Sequence, residues 1–600
     1  MKSKITSRIE DFILSFKEIW KFDKRLLFIL FADIIISALV PFPNIIFSGL
    51  IVNSLVDKID FILTVFYIML MFGISFLLKA INTYLKKSRE YLFIKFTNKL
   101  NNDINNKCLN TDFEKFNDSS FQDHILLINQ MSQGNNFFTN ITSVFEIVSG
   151  FITLVGIILV MTMLNSWLFV IALVVIALQS VLHVIQLKYN KQYQFDTIHE
   201  QRKIGYVSRL AKAPEVKKDV DMFNMHDFII RKIESFQKTM LSFNKGRIKV
   251  SGLIEMATYS LSMTFQLSAY ILLGINVLNG VITIGEFTTG IASLLSFISA
   301  SSSVSTQILD SNDGIFYIKK YESFHKLRSK FDSEYDVTID DIDLNNIEIE
   351  FKNVSFRYPN STSYVLKNIN LVINIREKLA IVGYNGAGKT SFVLLLTRMY
   401  DPTEGAILLN GIDIRRIRYV DYLKLFSTVN QDFSLLAFSM LENIAQTENV
   451  TDEEKEKITK LFENNGMGER LKKMYKGLDT PITKTLYASG VDLSGGERQK
   501  VAIIRSLFND APVLVLDEPT AALDPVSEYE VYRKFSEMSE GQLAVYISHR
   551  IYSTRFCDKI AVFDNGEMKE YGTFDQLMDR KGLYYDFYQA QSEVVNNGVV

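Results

Sequence analysis

The chain has 600 residues, too many for a single hydrophobic core at roughly 150 residues per domain, and 48% of them are hydrophobic against 22% charged. Its net charge of -2 gives no electrostatic footprint for nucleic acid. Only Cys108 and Cys557 are present, far apart and without ligand spacing, so neither a disulfide framework nor a structural zinc site is expected.

Charges are sparse between Leu26 and Leu309 and frequent from Ile347 onward, which divides the chain into a membrane half and a soluble half. Lys2, Lys4, Arg8, Glu10 and Asp11 precede the first apolar run, and no small-residue cleavage site follows one, so no cleaved signal peptide is read. Ile9 to Phe22 patterns as an amphipathic helix with Trp20 as an interfacial anchor, giving an elbow over residues 1–24.

A transmembrane domain is expected over 25–331. Six stretches are apolar and long enough for a layer about 30 Å thick, which takes roughly 20 helical residues. They are Leu26 to Leu50, Phe61 to Ile81, Phe138 to Leu164, Trp167 to Leu187, Ile254 to Leu273 and Phe287 to Leu309. Asp33 costs the first span about 3 kcal/mol on insertion scales, which a dozen or so apolar neighbours at about -0.5 kcal/mol each outweigh.

Short connections (57–60, 165–166, 274–286) alternate with long, charged, helix-patterned ones at 82–137 and 188–253, read as helices continuing out of the bilayer. Near the spans the short loops hold only Lys58, whereas the long connections hold Lys86, Lys87, Arg89, Lys95, Lys99, Lys188, Lys191, Arg202, Lys203, Arg247 and Lys249. The long connections and both termini are therefore expected on the cytoplasmic side of the cell membrane. Residues 332–346 read as a linker, and 347–590 as an α/β domain opening with the alternating strand Ile347 to Phe356.

In that domain Gly383-Tyr384-Asn385-Gly386-Ala387-Gly388-Lys389-Thr390 follows the apolar strand Leu379 to Val382 and precedes the helical run Phe392 to Met399, the context a phosphate-cradling loop requires, with Ser391 counted among the nucleotide-binding residues. Backbone N–H groups would close around the phosphates of ATP, Lys389 would reach the outer ones, and the Thr390 hydroxyl would meet Mg²⁺. Val513 to Leu516 reads as a buried strand delivering Asp517, for Mg²⁺, and Glu518, to orient or activate the attacking water. Leu543 to Ile547 is a second such strand, ending at His549, a candidate γ-phosphate contact.

Leu493-Ser494-Gly495-Gly496-Glu497-Arg498-Gln499 resembles the signature motif of the ATP-binding cassette (ABC) transporters, with Glu497 where that family often has Gln. Gln431 in Asn430-Gln431-Asp432 resembles the family's Q-loop, a catalytic and Mg²⁺-facing position. Asp524 resembles the D-loop, His549 the switch histidine, and Tyr358 the aromatic that stacks on adenine.

The resemblance implies a membrane exporter with fused transmembrane and nucleotide-binding domains. Two cassettes would pair head to tail, with ATP held between Lys389 of one subunit and Ser494 of the other, in a homodimer or with a related half-transporter. Coupling helices are implied near Asp112 to Phe121 and Arg209 to Val220. Thr485 to Gly490 lacks the Glu that many exporters carry before the signature. The cassette and the Phe113 to Phe121 stretch look most similar to peptide exporters of the lantibiotic type. The resemblance therefore implies a peptide-like or amphipathic cargo, with a lipid or multidrug exporter as the alternative. Asp33, Glu146, Glu255 and His183 lie at similar depth in their spans and form either an acidic entry for cationic cargo or pairs within the bundle.

Overall fold

The computed structural model describes residues 20, 23–58, 61–122, 124, 125, 128, 136–517, 533, 541–548 and 551–596. The elbow assigned to 1–24 thus falls almost wholly outside the described residues; Trp20 is within them, half exposed, with the Lys24 ammonium 5.4 Å from its ring centroid. Contacts divide the chain into two compact units: residues 1–109 with 119–327, and residues 110–118 with 328–600.

The first unit is helical: α1 (Lys24–Leu39), α2 (Phe42–Val56) and α3 (Phe61–Leu109) precede the short α4 (Phe113–Phe116) of the second unit. Then follow α5 (Asn136–Leu164), α6 (Ser166–Leu210), α7 (Pro214–Met222), α8 (His226–Leu278) and α9 (Ile284–His325). Among the described residues six helical spans are long and apolar enough to cross a membrane. The first is broken between α1 and α2 at Val40-Pro41, where Pro41 and Pro43 bring no N–H to the ladder.

Local chemistry sets the tight turns. Asn165 caps α6 by accepting the Trp167 N–H, and Thr283 and Glu286 cap each other at the start of α9. The 49 residues of α3 span about 74 Å at 1.5 Å each, so the helix continues well beyond a layer about 30 Å thick. Its outward Phe66, Phe72 and Phe76 are largely exposed, as suits a surface facing lipid. One core, around Ile157, Met161, Leu168, Phe265 and Phe297, joins α5, α6, α8 and α9. Another, around Leu26, Leu30, Phe93, Phe96 and Phe145, joins α1, α3 and α5.

Arg89 is not the solvated flanking charge that its place in a cytoplasmic connection suggests. It is buried on the face of α3 that carries Phe93, Phe96 and Leu100, and its guanidinium donates to Asp33 on α1 at 2.7 Å and to Glu146 on α5 at 3.1 Å. Two of the three candidate cargo acids are therefore already met by a cation of their own chain. Glu255 is exposed and accepts from the Ser251 hydroxyl at 3.0 Å.

The second unit holds β1 (Glu348–Phe356), β2 (Leu366–Asn374), β3 (Lys378–Gly383), β4 (Glu404–Leu409), β5 (Ile412–Asp413) and β6 (Phe426–Val429). β7 (Val513–Asp517), β8 (Leu543–Ile547), β9 (Lys559–Asp564) and β10 (Glu567–Gly572) complete the set. An antiparallel sheet runs β2-β1-β4-β5; the central sheet runs β10-β9-β3-β8-β7-β6, parallel throughout except for β10.

β7 and β8 are buried at every position, as continuous apolar runs covered on both faces must be. Helix α10 (Lys389–Leu396) follows β3 directly, and its Phe392 stacks on Phe351 of β1, joining the two sheets. Helix α11 (Tyr419–Leu423) joins the sheet core through Tyr422, and a helical layer of α12 (Met440–Ala445), α13 (Asp452–Asn464), α14 (Gly468–Lys472) and α15 (Gly495–Asn509) follows, with a core around Met440, Ile458, Phe462 and Val501. The stretch expected as a linker is partly ordered against this unit: Val337 bridges to Ile417, and Ile342 is buried in the core.

Candidate functional site

Because β6, β7, β8, β3 and β9 are parallel, their C-terminal ends open onto one edge. In open α/β sheets ligands are held at that edge. Here it gathers the loop 383–390 from β3, Asp517 from β7, Ser548 from β8 and Asn430-Gln431 from β6. β3 and β7 flank β8, so the phosphate-loop lysine and Asp517 follow strands with a single strand between them.

The loop itself has the form of an anion cradle. Gly386 (φ +81°) and Gly388 (φ +102°) adopt left-handed backbone, which side chains with a Cβ disfavour. A Cβ on Gly386 would meet only open space, whereas one on Gly388 would come within 2.6 Å of Leu366. Gly388 caps α10, whose first N–H groups point back into the loop, the arrangement that favours phosphate.

The Lys389 ammonium, mostly buried, folds back and donates to the carbonyls of Gly383 (2.8 Å) and Tyr384 (3.0 Å). It spans the mouth of the loop, and both acceptors are backbone oxygens that a triphosphate can replace. Asn385, Gly386 and Thr390 are exposed, Ala387 and Ser391 buried. Ser391 exchanges a 2.8 Å hydrogen bond with the Tyr358 hydroxyl, which ties the candidate base-stacking ring to the loop's helix.

Asp517 is buried at the end of β7, paired in register with Ile547. With the exposed Thr390 hydroxyl and Gln431 it offers oxygen donors only, the set that suits Mg²⁺. The structure thus gathers Tyr358, residues 383–391, Gln431 and Asp517 in one unit. Glu518, Asp524 and His549 lie outside the described residues.

Ser494 and Gly495-Gly496 open α15, and Glu497 closes a capping box with Ser494: the Ser494 N–H donates to the Glu497 carboxylate at 2.8 Å, and the Glu497 N–H to Ser494 Oγ at 3.3 Å. The Arg470 guanidinium meets the same carboxylate at 2.9 Å. A glutamate in this motif therefore has a local task, capping its own helix, which the Ser-x-x-Glu spacing already signals.

Tyr400 and Lys330 were not singled out from sequence. Tyr400 packs against Tyr358 (centroids 5.4 Å apart) and Phe113 (5.9 Å), and Lys330 bridges Glu114 (3.3 Å) and Asp401 (3.1 Å). For Tyr400 the one available sign was its place just after α10, where an aromatic can reach back to the loop.

Six apolar spans followed by a phosphate-binding α/β cassette define a membrane ATPase that moves something across a bilayer. A family model for ABC transporters matches residues 366–521. The subtilin transport ATP-binding protein SpaT of Bacillus subtilis is 27% identical over 598 residues, 96% of this chain and 94% of that protein. The nisin transport ATP-binding protein NisT of Lactococcus lactis subsp. lactis is also 27% identical, over 96% of this chain and 95% of its own. The ATP-dependent lipid A-core flippase of Escherichia coli is 35% identical over 246 residues, 41% of each chain. A solved bacterial Atm1-family ABC exporter with ATP bound superposes with a TM-score of 0.78, at 19% identity, covering 95% of this chain and 98% of that one.

The chain is an ABC transporter with fused transmembrane and ATP-binding domains, homologous to the subtilin and nisin transport proteins. It is a multi-pass membrane ATPase with the fold of an ABC exporter, a class that works as dimers.

Proposed function

We propose that the protein exports a peptide of lantibiotic or similar amphipathic character across a bacterial cytoplasmic membrane, with its termini and cassettes in the cytoplasm. The observation that carries this reading is the likeness to the subtilin and nisin transport proteins over nearly the full length of both partners, membrane half included. The likeness to lipid A-core flippases is higher in identity but spans only 41% of each chain, so it speaks for ATPase chemistry more than for cargo.

On this reading two copies of the chain form a homodimer and bind ATP at the seam between cassettes. Tyr358 stacks on the base; Gly383, Asn385, Gly386, Ala387, Gly388 and Ser391 line the phosphates, and Lys389 trades its two carbonyl acceptors for phosphate oxygens. Thr390, Gln431 and Asp517 hold Mg²⁺, which neutralises charge developing on the phosphates. Ser494, Gly495 and Gly496 of the partner subunit's cassette, backed by Glu497, close the γ-phosphate shell, with Asp524 at the seam. Glu518 orients the water, and His549 contacts the γ-phosphate. Closure of the seam drives the membrane helices, and hydrolysis reopens it.

The deciding experiment measures ATP turnover of the purified protein in lipid vesicles against cationic peptides, lipids and hydrophobic drugs, with Glu518→Gln as the inactive control. Stimulation by cationic amphipathic peptides alone supports the proposal. Stimulation by lipids or drugs alone replaces it with the flippase reading.

A further inference from the structure

We infer that Phe587 is a positioning residue for the phosphate loop: from the C-terminal helix of the cassette unit it clamps Tyr384, the one large side chain among residues 383–388, and so holds the loop in its nucleotide-binding shape. This rests on the reading of residues 383–391 as the phosphate site.

The loop has few other handles. Three of its first six residues are glycines, Ala387 is small, and Asn385 and Gly386 are exposed. Gly386 and Gly388 lie in left-handed backbone, where a chain without side chains has many alternatives to the shape it shows. The hub of that shape is the Tyr384 carbonyl, which accepts both the Ala387 N–H at 3.1 Å and the Lys389 ammonium at 3.0 Å.

The Tyr384 side chain is 60% exposed, yet its ring is set edge-on to Phe587, with centroids 4.7 Å apart and planes at 88°. Two helices, α16 (Phe574–Arg580) and α17 (Leu583–Asn596), close the cassette unit, and Phe587 lies on the second. That helix is firmly mounted. The Glu570 carboxylate of β10 accepts its first two N–H groups, from Leu583 at 2.6 Å and Tyr584 at 3.0 Å. Tyr584 is wholly buried, and its hydroxyl shares a 2.7 Å hydrogen bond with Thr554. Phe587 itself packs on the core that contains Ala380 and Val382 of β3, the strand leading into the loop. It therefore joins that strand to the loop's one aromatic ring.

When phosphate draws the Lys389 ammonium away, the Tyr384 carbonyl gives up one of its two donors. The ring pair takes no part in that exchange and keeps the residue in place. A loop that holds its competent shape only part of the time binds ATP more weakly in proportion. The steps after binding rest instead on Asp517 and Glu518, which follow a different strand. Loss of the clamp thus falls on KM and spares kcat.

The test is steady-state ATP turnover of the full-length protein in lipid nanodiscs. Phe587→Leu, which keeps an apolar side chain on the core, raises KM for ATP by roughly 2- to 10-fold, the scale of one edge-to-face ring pair, and leaves kcat unchanged. Tyr384→Ala does the same, and the two together raise KM no further than either alone, because both remove one contact. Phe587→Tyr, which keeps the ring, matches the wild type.

An unchanged KM in Phe587→Leu, effects that multiply in the double variant, or a fall in kcat at unchanged KM overturns the inference. Lys389→Ala separates that failure from failure of the reading beneath it. Turnover lost in that variant keeps the phosphate site whatever Phe587 does, whereas turnover intact removes both.

Discussion

The Arg89 guanidinium donates to the Asp33 carboxylate at 2.7 Å across 56 positions of sequence, with both side chains more than nine-tenths buried. Its other arm reaches Glu146, so one cation fastens α1, α3 and α5. Removing one partner of such a pair strands the others without water, at about 3–5 kcal/mol. Arg89→Ala should therefore unfold well below the wild type in detergent. Replacing all three by Met, Asn and Gln should recover most of that loss, and thermal unfolding of the two variants checks it.

The reciprocal cap of Ser494 and Glu497 makes a second prediction. Glu497→Gln keeps an acceptor for the Ser494 N–H and should retain most ATP turnover, whereas Glu497→Ala frees the first turn of α15. Loss of such a cap costs about 0.5–2 kcal/mol, concentrated at the residues proposed to meet ATP. Turnover by the alanine variant should fall further than its melting temperature implies.

Gly49 on α2 and Gly285 on α9 let two backbones touch. A Cβ on Gly285 would lie 2.3 Å from the Gly49 carbonyl oxygen and from the Asn53 amide, which itself accepts the Gly285 N–H at 2.9 Å. Gly285→Ala should cost about 1–3 kcal/mol by overpacking. Gly274→Ala, whose added methyl meets nothing, is the silent control in the same unfolding assay.

Asp112 ties pH to the anchoring of 110–118. Burial alone would raise its pKa, but hydrogen bonds from the Lys330 and Lys115 backbones and the nearby Lys115 charge outweigh that and hold it below the ordinary carboxylate value. A depressed acid stabilises fully above its unfolded pKa and loses the contribution as pH falls through the folded one. The gap in unfolding midpoint between wild type and Asp112→Asn should thus be constant near neutral pH and close on acidification through the carboxylate range.

Lys389→Ala removes both the loop's internal clamp and the proposed phosphate contact. ATP turnover in vesicles should drop by about 10²-fold or more, the scale of losing one aimed donor to developing charge. Turnover that survives intact would dismiss the phosphate-loop assignment.

Much of this molecule was legible from residue order. The phosphate loop, the apolar strands before Asp517 and Ser548 and the six spans are signals written in consecutive residues, because a backbone turn, a buried strand or a membrane helix each needs its composition in one place. Even the break at Pro41 could have been read from proline's missing N–H. Arg89 left a fainter sign: it shares helical phase with Phe93, Phe96 and Leu100, so it had to face the core.

Sequence by itself determined the class of machine and the chemistry of its nucleotide loop. Tertiary structure alone decided which charges meet: that Arg89 belongs to Asp33 and Glu146, that Glu497 meets Arg470, and that 110–118 lodges with the cassette through Asp112 and Tyr400. Such pairings join residues tens to hundreds of positions apart. They are fixed by which surfaces packing brings within a few ångströms, a property no local run of residues carries.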